Sequence, residues 1–98
     1  MGIIKPGVKT ATREQTVEFQ LSAPQAKSVN VCGTFNEWRT NAGRMTQDSR
    51  GIWKGSIPLR SGKYEYRFFV DGQWIDDPRA GKTVANKFGS RNAVLEIK

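Results

Sequence analysis

The sequence has no histidine and a single cysteine among its 98 residues. The first absence removes the commonest general base and the commonest metal ligand together. Ser-His-Asp and Cys-His nucleophile systems go with it. One thiol, Cys32, can form neither an internal disulfide nor a metal-binding cluster. Long hydrophobic runs are also missing: no stretch approaches the roughly 20 apolar residues of a membrane-spanning helix, so no membrane partner is expected. Met1-Gly2-Ile3-Ile4-Lys5-Pro6-Gly7 lacks the apolar core of a secretory signal, and the expected setting is cytoplasmic. The glycines match neither G-x-G-x-x-G nor G-x-x-x-x-G-K-[ST]. Asp76-Asp77 is the one adjacent carboxylate pair. Neighbours on an extended strand face opposite ways, so this pair suits a turn into Pro78 better than shared chemistry on one substrate atom. No catalytic residue, no metal site and no cofactor are expected.

What is present describes one small globular domain. Charged residues make up 26% and hydrophobic residues 37%, an ordinary balance. A chain of this length buries roughly 60–65% of its unfolded surface, enough for one modest core. The net charge is +7, which raises the possibility of a polyanionic partner. The basic residues are spread thinly, however, from Lys5, Lys9 and Arg13 through Lys27, Arg39, Arg44 and Arg50, with no two adjacent. That spacing is the mark of a solvated basic surface.

Periodicity supplies the fold. Residues 1–13 carry no apolar period and include Pro6 and Gly7, so they read as a flexible lead-in to a domain over 14–98. Val17, Phe19 and Leu21 alternate with polar residues, the period of a half-buried strand that Ala23-Pro24 ends. Val29 and Val31 alternate next. Trp53, Gly55, Ile57 and Leu59 share one face of a third strand. Tyr64, Tyr66, Phe68 and Val70 point one way along the clearest strand, with Glu65, Arg67 and Phe69 on the other face. Asp71-Gly72 is a strong two-residue hairpin signal leading into Gln73-Trp74-Ile75. A polar loop is expected over 79–91 and a last strand over 93–97. No helical period persists, so about 6–8 short strands predict an all-β, two-sheet antiparallel sandwich.

The aromatic residues carry the functional signal. Trp53 continues an apolar face and belongs to the core. Trp38 closes Gly33-Thr34-Phe35-Asn36-Glu37-Trp38 just before the polar Arg39-Thr40-Asn41, and Trp74 follows a tight turn. Large aromatics at such corners can stay partly exposed and stack on an apolar face, including the C–H face of a sugar ring. Packing over the core edge is the competing account. Cys32, within an apolar strand, reads as a buried structural thiol.

Four segments resemble the family 48 carbohydrate-binding modules, most closely the kinase-type glycogen-binding domains. They are Gly33 to Trp38, Gly62 to Trp74, Asp77-Pro78, and Gly89 to Val94, in the family's order over about residues 14–98. The resemblance implies an immunoglobulin-like, early-set β-sandwich that binds an α-1,4-linked glucan such as glycogen or starch without catalysis. It implies that Trp38 and Trp74 stack on glucose units. Arg67 stands where the family has a hydroxyl-bonding lysine, and Asn92 where an asparagine bonds adjacent hydroxyls. Phe88 takes the place of a leucine that reaches into the curve of the glucan. The loop over 79–88 is one residue longer than in the kinase type. The implied partners are the glucan itself and a kinase or glucan-active enzyme. Two other readings stand beside this one: a protein-interaction domain of the same fold that has lost its sugar site, and a single-stranded nucleic-acid binder. No RNP or zinc motif supports the second.

Overall fold

The computed structural model describes residues 14–98, and the expected lead-in over 1–13 lies outside the described residues. Two antiparallel sheets face each other. The first has the order β1-β4-β3, with β1 at Gln15–Ser22, β4 at Ile52–Leu59 and β3 at Thr46–Gln47. The second has the order β2-β5-β8-β7, with β2 at Val29–Gly33, β5 at Gly62–Val70, β8 at Arg91–Ile97 and β7 at Thr83–Ala85. A short β6, Gln73–Ile75, also pairs with β5. This is the β-sandwich that the alternating pattern predicted.

The register explains the core. Pairing of Leu21 with Trp53 and of Val31 with Phe68 aligns the inward residues of neighbouring strands. Phe19 of β1 reaches across to Tyr66 of β5, ring centroids 5.0 Å apart and nearly edge-on. Trp53 is buried as expected and donates its indole N–H to the Ala23 carbonyl at 2.9 Å. Such a satisfied polar tip lets a large ring sit inside without an orphaned donor.

Three local expectations are corrected. The Val29/Val31 strand does not alternate, because all five residues of β2 are buried. Its second flank is covered by the chain that follows: Val31 N–H donates to Gly43, and Met45 N–H to Val29. The 79–91 stretch is not all loop, since β7 forms within it and β8 begins at Arg91 rather than Ala93. The third is β3, a two-residue strand that no pattern signalled.

Candidate functional site

A groove of about 670 Å³ opens on the outer side of the second sheet. Trp38, Trp74, Arg67, Asn92 and Phe88 all line it, although they come from three separate stretches of chain. Thr34, Glu65, Asn86 and Lys87 complete its walls.

Trp38 reaches the groove through a strained turn. After β2 the chain makes one 3-10 turn, Thr34–Asn36, and then Glu37 and Trp38 adopt φ of 58° and 59°. Left-handed backbone costs about 1–2 kcal/mol per ordinary residue, so neighbouring contacts must fix it. Asn36 provides two: its Oδ1 accepts from Gly33 N–H and its Nδ2 donates to the Val31 carbonyl, each at 3.0 Å. Trp38 N–H donates to the Gly33 carbonyl at 2.9 Å. Gly33 is required here for space, because a Cβ would collide with the Glu65 carbonyl oxygen.

Trp74 comes from the opposite direction. Asp71 and Gly72 have φ of 49° and 84°, positive at both central positions as a type I′ hairpin turn requires. The turn places Trp74 opposite Phe69, with ring centroids 4.9 Å apart. Trp74 keeps 38% of its surface exposed, whereas Trp53 keeps 8%. The two groove tryptophans meet at 6.1 Å with their planes inclined by 68°. Two aromatic faces therefore stand at an angle along one wall.

Arg67 projects from the outward face of β5, as the strand period predicted. Its Nε donates to Asp76 Oδ1 at 2.9 Å, and Nη2 lies 2.8 Å from the same oxygen in an ion pair. The pinned guanidinium lies 5.9 Å from the Trp74 ring centroid and carries further N–H donors. Asp77 faces the other way and accepts from the Tyr66 hydroxyl. Burial, reinforced by that hydrogen bond, pushes the Tyr66 hydroxyl well above the ordinary tyrosine range. The two aspartates thus serve opposite sides of the strand as structural acceptors.

Asn92 is placed in the groove floor but is 8% exposed, with its amide engaged at both ends. Its Nδ2 donates to Glu65 Oε1 and its Oδ1 accepts from Asn86 Nδ2, both at 2.9 Å. Asn86 organises the hairpin between β7 and β8: its Oδ1 accepts from Phe88 N–H at 2.9 Å and Ser90 N–H at 3.2 Å. Phe88 is carried at the tip, 80% exposed, with Lys87 Nζ 5.6 Å from its ring centroid.

The sequence reading missed Glu65 and Asn86. Glu65 had a signal, since it shares the outward face of Arg67 two residues along β5. Asn86 had none, because its partners lie in the folded hairpin and in Asn92.

Four findings relate this chain to known proteins. The family described as the glycogen recognition site of AMP-activated protein kinase matches residues 15–98. Human 5′-AMP-activated protein kinase subunit beta-2 is 33% identical over 72 residues, covering 74% of this chain and 25% of that protein. Among plant proteins, Arabidopsis thaliana PTST homolog 2, chloroplastic, is 42% identical over 72 residues, 74% of this chain and 13% of its own length. Rice FLOURY ENDOSPERM 6, chloroplastic, is 33% identical over 89 residues, 91% of this chain and 16% of its own length. The chain spans about a quarter of the kinase subunit and less of the plant proteins.

Proposed function

The chain belongs to the family of the glycogen recognition site of AMP-activated protein kinase, and we propose that its Trp38/Trp74 groove is the α-glucan site of a non-catalytic targeting module. The observation that carries this reading is convergence. Five residues nominated from three stretches of the sequence line one open groove, and two inclined indoles stand together in its wall.

The chemistry follows from the parts. A glucose ring offers an apolar C–H face that lies flat on an aromatic surface. Successive α-1,4-linked rings turn relative to one another, so two platforms inclined at 68° suit consecutive units of a curved chain. Arg67 supplies hydroxyl-directed donors from a position fixed by Asp76. Phe88 extends the apolar wall from a hairpin that Asn86 stiffens. Stacking plus a few directed hydrogen bonds, set against desolvation of both surfaces, gives a shallow and weak site. The module would hold an attached activity on glycogen or starch; a kinase or a glucan-active enzyme is the proposed attached partner.

Titration with maltoheptaose or β-cyclodextrin, followed by tryptophan fluorescence and amide shifts, tests the reading. A saturable response at up to millimolar ligand is expected, abolished by Trp38→Ala combined with Trp74→Ala. No response in the unaltered protein, or one that survives the double substitution, overturns it.

A further inference from the structure

We propose that Glu65 is the principal hydroxyl acceptor of the groove, a sugar-contacting residue that pairs with Arg67 to read adjacent hydroxyls. This rests on the glucan reading above and goes beyond it by assigning the acceptor half of recognition.

A neutral sugar presents hydroxyls that each donate as well as accept, so a complementary surface needs both functions. Donors are plentiful here. Arg67 carries N–H groups beyond the Nε–H that Asp76 accepts, and Lys87 is donor-only. Acceptors are scarce. Asn92 Oδ1 already accepts from Asn86, and Asn86 Oδ1 accepts from two backbone N–H groups of its hairpin. Asp76 is not among the residues that line the groove, and its Oδ1 is held by Arg67.

Glu65 is different. Its side chain lines the groove and is half-buried, so it is not simply solvated. One oxygen, Oε1, accepts from Asn92 Nδ2 at 2.9 Å, which fixes the orientation of the carboxylate. The other oxygen has no hydrogen-bond partner among the described residues. A carboxylate held by one oxygen and open at the other is pre-set to accept, and acceptance by a charged group is stronger than by a neutral one. Glu65 and Arg67 stand two residues apart on one face of β5, about 7 Å along the strand, so the acceptor and the donor flank a single stretch of ligand.

Glu65→Gln tests this, because the amide oxygen can still accept from Asn92 while the anionic acceptor is lost. Maltoheptaose affinity is expected to fall about tenfold with the thermal midpoint little changed. β-Cyclodextrin and its heptakis(2,3-di-O-methyl) derivative supply the second measurement, since methylation removes the adjacent O2 and O3 hydroxyl donors. The unaltered protein should prefer the parent ring, and Glu65→Gln should lose most of that preference. Should Glu65→Gln fail to fold, Glu65→Asp, which keeps the charge and retracts it by one methylene, should show the same losses. Unchanged affinity and unchanged preference in the variant that folds overturn the assignment. If Trp38→Ala plus Trp74→Ala still abolishes binding in that case, the glucan reading survives alone. An unaltered protein that binds neither sugar overturns both.

Discussion

Cys32 shows how far a single residue can be read. Its place in an apolar strand predicted burial, and the structure gives it no exposed surface, with the thiol donating to the Arg39 carbonyl at 3.1 Å. Burial pushes the thiol up to about 11 from its ordinary 9.0, because the thiolate would lose its hydration. The neutral form is therefore favoured in the folded state. Its contribution is complete below the unfolded pKa and is lost as pH rises through the folded one. Denaturant unfolding at successive pH values should show stability declining between about 9 and 11, and Cys32→Ala should remove part of that decline. A thiol reagent at pH 8 should label the folded protein far more slowly than the unfolded chain. Identical pH profiles for the two proteins would contradict this account. Asn92 marks the opposite case. Its type and position suggested a free hydroxyl-binding amide, but its carboxylate partner is 27 residues earlier, and no local pattern encodes that pairing.

Among the elements, the β5–β6 hairpin was the most legible and does more than its signal implied. Asp-Gly predicted the turn, and positive φ at both residues agrees. The Asp71 carboxylate also accepts from the backbone N–H groups of Lys27 and Ser28, at 3.0 and 2.9 Å, while Asp71 N–H donates to the Ser28 carbonyl at 3.0 Å. One residue thus sets the turn under Trp74 and closes the approach to β2. Asp71→Ala loses a charged acceptor and tolerates left-handed backbone poorly, so urea unfolding should report a loss of about 2–3 kcal/mol. Asp71→Asn, which keeps both a side-chain acceptor and tolerance of positive φ, should cost about half as much. Equal losses for the two would remove the carboxylate from the explanation. The strands β3 and β7 escaped the sequence reading because two or three residues are too few to establish a period of two. They exist because longer neighbours, β4 and β8, offer free backbone to pair with.

Over the whole molecule, the +7 charge and the groove tell different stories. A nucleic-acid binder concentrates unpaired cations along its ligand path. Here Arg67 is paired with Asp76, and Lys87 shares the groove walls with the carboxylate of Glu65. Two positive groups are offset by two negative ones, while the other basic residues are spread thinly along the sequence. The local balance suits a neutral ligand, and the dispersed excess suits weak, non-specific attraction to polyanions. These attractions respond differently to salt. Counterion release makes polyanion affinity fall steeply as ionic strength rises, whereas stacking and hydroxyl hydrogen bonds involve no ion release. Between about 50 and 500 mM sodium chloride, maltoheptaose affinity should change less than twofold. Binding of a single-stranded oligonucleotide over the same range should weaken at least tenfold. The two ligands should also differ in their dependence on the tryptophans: Trp38→Ala plus Trp74→Ala should abolish the first and leave most of the second. A steep salt dependence for the sugar, or an oligonucleotide that competes for the groove at high salt, would return the molecule to the polyanion reading its net charge first suggested.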